Sequence, residues 1–248
     1  MIQKIIPSPF LSIVVPAFNE EKRIISSLTA LVSYLDTQDY SWDIVVVNDG
    51  SEDNTAELVQ NMSQMHNNIK LETIIHAGKG AAIKHGILFC NGKYKFICDA
   101  DLAMPTNCIQ KFVAMMYEGY DIVIGSRQVH GANRYGEPLI RHLMGRIFNF
   151  VVQLAVVRSF KDTQCGYKMF KRETADNLFP YQQLNGWGFD VEILFLALKR
   201  KYKVLEMPIE WYHREDSKVR IGIDSISMLL DMVVIRWKWI SRQYIEKK

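Results

Sequence analysis

A chain of 248 residues, 48% apolar and 23% charged, is long enough for one well-buried domain and too apolar to be disordered. Its formal net charge of +3 is too small to imply nucleic acid as a partner on charge alone. The four cysteines, Cys90, Cys98, Cys108 and Cys165, form no C-x-x-C pair and have no zinc-like histidine spacing, so packed free thiols in a reducing compartment are expected.

In chain order, Leu11–Val15 reads as a buried strand and about Glu20 to Leu35 as a helix, with Ile24, Ile25, Leu28, Leu31, Val32 and Leu35 on one face. Strand Asp43–Asn48 follows, then a helix with Leu58, Val59, Met62 and Met65 on one side. Strand Ile69–Ile75, a helix after Gly80, strand Tyr94–Asp99, a helix near Asn107–Glu118 and strand Asp121–Gly125 complete the alternation. Such alternation predicts an α/β fold, a mostly parallel sheet with helices on both faces. Further on, Pro138–Val157 reads as an apolar helix and Lys161–Lys171 as an irregular polar stretch. Phe189–Tyr202 reads as helix, Lys203–Tyr212 as strand and Ile223–Tyr244 as a final helix.

Ligands of open α/β sheets bind at the carboxyl ends of strands, and three polar clusters fall there. Pro16-Ala17-Phe18-Asn19-Glu20 follows the first strand, Asn48-Asp49-Gly50-Ser51-Glu52-Asp53 the second, and Asp99-Ala100-Asp101 a later one. Two carboxylates at one strand end suit Mg²⁺ or Mn²⁺, which take hard oxygen ligands and share them with phosphate. Read alone, the same pair is a set of solvated loop aspartates or a helix cap. Asp49 is placed to accept from a base or ribose, whereas Asp53 reads as a structural cap. Gly78-Lys79-Gly80 lacks the remaining residues of a Walker loop and of G-x-G-x-x-G, which argues against a dinucleotide dehydrogenase. Lys79, at a helix start, is either a donor contact or a solvated lysine.

The order P-A-F-N-E, V-N-D-G-S-x-D-x-T, G-K-G, D-A-D and G-S-R resembles the inverting family 2 glycosyltransferases, which have a GT-A (Rossmann-like) fold. Asp162-Thr-Gln-Cys-Gly-Tyr-Lys-Met-Phe170 and Gly188-Phe-Asp-Val-Glu192 resemble its dolichyl- or polyprenyl-phosphate β-glucosyltransferase branch, over about Leu11 to Arg236. The resemblance implies a UDP-sugar donor, UDP-glucose first, a lipid-phosphate acceptor and inversion at the sugar carbon. It places the metal on Asp99 and Asp101. It places the donor against Pro16, Ala17, Asn19, Glu20, Asp49, Lys79, Asp99, Ala100 and Lys218. The related mannosyltransferases tend to carry glutamine where this chain has Ala103, and the membrane-spanning segments of some relatives are not seen here.

On the acceptor side, Arg141, Gly145, Asn149 and Gln153 recur every four residues as a polar stripe on an apolar helix. Such a helix suits a membrane interface, with Arg141 reaching a phosphate; the family carries Arg, Ser and Asn at this spacing, so the resemblance implies Asn149 there as well. An internal ion pair of Arg141 on a core helix is the alternative. Gly145 stands where the family has serine. Arg127, after Gly125-Ser126, is the second arginine expected at that phosphate. From Ser217 to Lys248 there are seven Lys or Arg against three acidic residues, with Trp237 and Trp239 among them, as in a headgroup layer. Terminal packing or a homo-oligomer contact would look similar. The chain is therefore read as a GT-A domain over 1–216, including the amphipathic helix 138–158, and an interfacial helix over 217–248.

The acceptor phosphate is already largely dianionic at neutral pH, so positioning and charge stabilisation outweigh a strong base. Asp162 is the first carboxylate expected beside it, either positioning it or taking a residual proton; Asp190 and Glu192 are alternatives. A GDP-mannose-dependent enzyme, a family 2 transferase with a soluble acceptor, and a membrane-associated nucleotide-binding scaffold are the competing readings. No secretion signal and no unbroken apolar window of about 18 residues is seen. A peripheral protein on the cytoplasmic face of a membrane, with no nucleic-acid partner, is expected.

Overall fold

Apolar side chains that point alternately to two faces need cover on both, and the first strands show that pattern. In β1 (Leu11–Ala17) and β2 (Trp42–Asp49) nearly every residue is buried, as in parallel sheets sandwiched between helices. The computed structural model describes residues 8–138, 159–214 and 223–244. A seven-stranded sheet of order β3-β2-β1-β4-β7-β5-β8 runs through it. Its other strands are β3 (Ile69–Ile74), β4 (Tyr94–Ile97), β5 (Ile122–Ser126), β7 (Lys168–Lys171) and β8 (Val204–Pro208).

Ile13, Val15, Ile44 and Val46 face one core with α1 (Ile24–Leu35), α2 (Thr55–Met65) and α4 (Ile109–Tyr117). Val14, Val45 and Val47 face the other with α3 (Lys79–Phe89), α5 (Arg172–Leu178), α6 (Phe189–Lys199) and α7 (Ile223–Ile240). The period of two therefore splits each strand between two helical layers, as the alternating sequence implied. All four cysteines are buried free thiols.

Two segments differ from the sequence reading. Lys161–Lys171 is not irregular throughout, because β7 occupies its end and pairs antiparallel with both β4 and β5. Lysines at both ends of this four-residue strand conceal it. Lys168 is 1% exposed and is neutralised by Asp190 at 2.7 Å. Lys203–Tyr212 is likewise two strands: β8 joins the main sheet, and β9 (Glu210–Tyr212) pairs with β6 (Asn133–Tyr135) in a separate ribbon.

The reversal of β7 positions the site. Because it runs against its neighbours, its first residue, Lys168, lies level with Ile97 of β4 and Ile124 of β5. The segment Asp162–Tyr167 is thereby delivered to the carboxyl edge, where β1, β2, β4 and β5 all end.

Candidate active site

The first two strand-end clusters are knitted together by hydrogen bonds. Pro16 and Ala17 still belong to β1 and pair with β2. Beside β4 the pairing stops at Val14, so the N–H that Pro16 lacks is not needed there. Asn19, at φ 51°, donates its N–H to the Ser51 hydroxyl oxygen at 2.9 Å and accepts the Glu52 N–H on its Oδ1 at 2.8 Å. Glu20 is buried, pairs with Arg23, and donates its backbone N–H to the Thr55 hydroxyl. Asp53 accepts from Thr55 N–H and Glu21 N–H, which makes it the structural cap expected.

Asp49 has a supporting task. It is 3% exposed, and its carboxylate accepts from Ala77 N–H at 2.8 Å and Gly78 N–H at 2.9 Å. These bonds hold the turn that starts α3 and so fix the loop before Lys79. Phe18 and His76 stack over that turn with centroids 4.2 Å apart.

Lys79 is not a solvated lysine. Its Nζ lies 2.6 Å from Asp99 Oδ1 and 5.0 Å from the centre of the Trp187 ring. Burial would lower its pKa, but the charges of Asp99 and Asp190 outweigh burial and hold it above the ordinary value. Lys168, Asp190, Lys79 and Asp99 thus alternate in sign from the sheet interior to the strand end.

A glycine makes room for this arrangement. A Cβ on Gly166 would fall on the Asp99 carboxylate, so the glycine of the Cys165-Gly166-Tyr167 segment is required for Asp99 to lie where it does. Sequence reasoning noted that segment but not this reason. Ala100 is buried, and its carbonyl accepts the Ser27 hydroxyl at 2.6 Å. Asp101 accepts from Ala103 N–H at 3.1 Å and lines a cleft of about 360 Å³ with Arg23, Ser26, Leu102 and Arg214. Burial first, and then the charge of Asp99, raise the Asp101 carboxyl above its usual range.

This donor set fits a divalent ion. Two hard carboxylates stand two residues apart at the end of β4, near enough for the charge of Asp99 to act on Asp101, and no cluster of three acidic, histidine or cysteine ligands occurs among the described residues. The protein would therefore supply two ligands and leave the others to phosphate and water, as Mg²⁺ and Mn²⁺ prefer.

On the second side, Arg127 and Asp162 form a forked pair at 2.7 and 2.8 Å, and Asp162 also accepts from the Arg127 backbone N–H at 2.9 Å. Asp162 is 0% exposed. Burial alone would raise its carboxyl, but Arg127's charge and hydrogen bonds outweigh that and hold it at about 2. A carboxylate so occupied is a poor proton acceptor at neutral pH; of its two expected roles, the geometry favours positioning. Asp162 places the guanidinium, which also lies over the Trp211 ring at 5.5 Å. Arg141, Asn149 and Lys218 lie outside the described residues, so their expected contacts are not placed.

Asp190 and Glu192 do not cap α6. Asp190 pairs with Lys168, and Glu192 accepts from the Gln183 and Leu184 N–H groups and from the Tyr244 hydroxyl. On α7, Met228, Met232 and Ile235 face the core. Leu230, Val233, Trp237 and Ile240 stand 59–79% exposed, at spacings that place them on one face. No helix among the described residues is long and apolar enough to cross a membrane.

This fold and strand-end site define a nucleotide-sugar glycosyltransferase of GT-A architecture. The chain belongs to glycosyl transferase family 2, whose model matches residues 12–179. It is 39% identical over 240 residues to a dolichyl-phosphate beta-glucosyltransferase of Trichomonas vaginalis, covering 91% of this chain and 70% of that protein. It is 36% identical over 260 residues to the Saccharomyces cerevisiae dolichyl-phosphate beta-glucosyltransferase, covering 96% and 78%. Among solved structures, glucosyl-3-phosphoglycerate synthase of Mycobacterium tuberculosis, in complex with Mn²⁺ and UDP-glucose, matches with a TM-score of 0.63. It is 18% identical, and the match covers 90% of this chain and 79% of that one.

Proposed function

We propose that this protein transfers glucose from UDP-glucose to dolichyl or a related polyprenyl phosphate, with Mg²⁺ or Mn²⁺, at the cytoplasmic face of a membrane. The observation that carries the reading is the Asp99 seat: a strand-end carboxylate cleared by Gly166, paired with Lys79 and close enough to Asp101 for its charge to raise that carboxyl. The curated relatives' names support glucose and the lipid phosphate.

Asp99 and Asp101 would hold the ion, which when bound neutralises charge on the departing diphosphate. Lys79 adds a fixed positive charge on the same side, and the Asp49-held turn keeps it there. An acceptor phosphate oxygen attacks the anomeric carbon as the bond to UDP breaks on the opposite face, which inverts that carbon. Arg127, anchored by Asp162, orients the acceptor phosphate; Arg141 and Asn149 are assigned to the same phosphate by resemblance, and Lys218 to the donor diphosphate. The exposed row on α7, with Arg236 and Arg242 exposed beside it, suits an interface with anionic headgroups. Under this reading 217–248 serves as the membrane-facing appendage of the catalytic domain.

Incubation with labelled UDP-glucose, Mn²⁺ and polyprenyl phosphate is expected to give a lipid-linked glucose with the β configuration. Product only from GDP-mannose, or none at all, would overturn the assignment. Co-flotation with anionic liposomes separates a lipid acceptor from a soluble one.

A further inference from the structure

Lys79 is held from two sides, one of them the turn fastened by Asp49. The second is the loop Gln182–Gly188. Its Gln182 side chain, 2% exposed, donates to the Gly80 carbonyl at 2.8 Å, and its Asn185 carbonyl accepts the Ala81 N–H at 3.2 Å. A Cβ on Gly78 or Gly80 would stand 2.7 Å from the Asn185 or Leu184 carbonyl oxygen. The G-K-G glycines are therefore demanded by this loop's close approach, and Trp187 of the same loop carries Lys79 on its ring.

The loop has no regular secondary structure of its own; Lys84 Nζ holds the Gln182 carbonyl at 2.7 Å, and a buried carboxylate on α6 holds its next two amides. Glu192, 0% exposed, accepts the Gln183 N–H at 3.0 Å, the Leu184 N–H at 2.9 Å and the Tyr244 hydroxyl at 2.6 Å. Tyr244 reaches it because α7 ends in a paired turn. Gln243 N–H returns to the Lys238 carbonyl and Arg242 N–H to the Trp239 carbonyl, with Arg242 at φ 60°. This is the Schellman arrangement, in which glycine is usual. The left-handed conformation disfavours arginine, yet it turns Tyr244, 1% exposed, into the core.

We propose that Glu192 is a positioning residue for donor binding. Tethered by Tyr244, it holds the Gln182–Gly188 loop against the Gly78–Gly80 turn and so sets Lys79 against Asp99. The proposal rests on the reading of that turn as part of the nucleotide-sugar site, and it goes further by making the C-terminal end of α7 part of the donor site's geometry. The Tyr244→Phe variant tests it, since it removes one hydroxyl and keeps the packing; Glu192→Gln is the harsher companion.

With the full-length chain, Tyr244→Phe is expected to speed hydrogen exchange at the Gln183, Leu184 and Ala81 amides. The KM for UDP-glucose should rise about tenfold while kcat and the lipid-acceptor KM stay within about twofold. In a Lys79→Met background the same change should add less than about twofold, because the effect runs through Lys79. Unchanged exchange at Ala81, faster exchange with an unchanged donor KM, or full additivity with Lys79→Met would each overturn the proposal. If the wild type does not use UDP-glucose, the functional reading above falls, and the exchange at Ala81 still decides this one.

Discussion

The half of the sheet made by β1 to β4 and the half made by β5, β7 and β8 secure their functional groups by different means. In the first, apart from the partly exposed Lys79–Asp99 pair at the end of β4, backbone N–H groups, hydroxyls and short carboxylates knit the Asn19, Ser51 and Asp53 loops together, and Asp49 fastens the next turn to them. In the second, buried ion pairs carry the load: Arg127 with Asp162, and Lys168 with Asp190. Main-chain bonds distribute a constraint over many small contributions, whereas a buried pair concentrates it. Removing one partner of such a pair leaves an unpaired charge in the interior. The second half should therefore fail abruptly, and the first by degrees.

The contrast can be broken most severely at the proposed ion site, where both halves meet. Asp101→Asn should lower kcat/KM by about a thousandfold, corresponding to roughly 4 kcal/mol of transition-state stabilisation, with little change in melting temperature. Steady-state kinetics beside calorimetry checks both statements. Next comes Asp162→Asn, which strands the Arg127 guanidinium and should cost about 3 kcal/mol of stability. Urea unfolding reads this directly, and a loss below about 1 kcal/mol would remove the distinction between the halves.

Gly166→Ala adds a methyl group where the Asp99 carboxylate lies. A displacement of a catalytic group on the ångström scale costs about a hundredfold in rate, so kcat/KM should fall by that order while the fold persists. A smaller effect belongs to pH. Asp162's carboxyl is held at about 2 against an ordinary 3.8, so it binds its proton later in the folded state than in the unfolded one. Its contribution is complete above about pH 4, fades as pH falls towards 2, and amounts to roughly 2 kcal/mol. Acid unfolding of the wild type and Asp162→Asn should converge over that window.

The two halves also differed in how much their residues disclosed. Leu11–Val15 and Asp43–Asn48 announce strands because both their faces are apolar, and the polar residues after them mark the carboxyl edge. Lys168 gives the opposite impression, since a strand lysine looks solvated until Asp190 is known to neutralise it. Arg127 and Asp162 were each singled out by their motifs, but their pairing depends on β7 being reversed. Gly166 was visible inside a motif, while its reason lay in the side chain of Asp99, on another strand. The glycines around Lys79 looked like a fragment of a phosphate loop, and the distant 182–188 loop explains them instead. Glu192 and Asp190 stood as alternatives for the carboxylate beside the acceptor, because local sequence cannot reveal that one pairs with Tyr244 and the other with Lys168.

The reversed strand has one more consequence. The chain leaves the sheet at Ser126 and re-enters at Lys168, and both points lie on the carboxyl edge. A connection that leaves and re-enters on one rim brings its closing end back to its start: Arg127 meets Asp162, and Gly166 meets Asp99. It is latched to the strand ends at both of its own ends, so any exchange of its contents has to keep Arg127 and the Asp162–Tyr167 segment for the Asp99 end of β4 to keep its place.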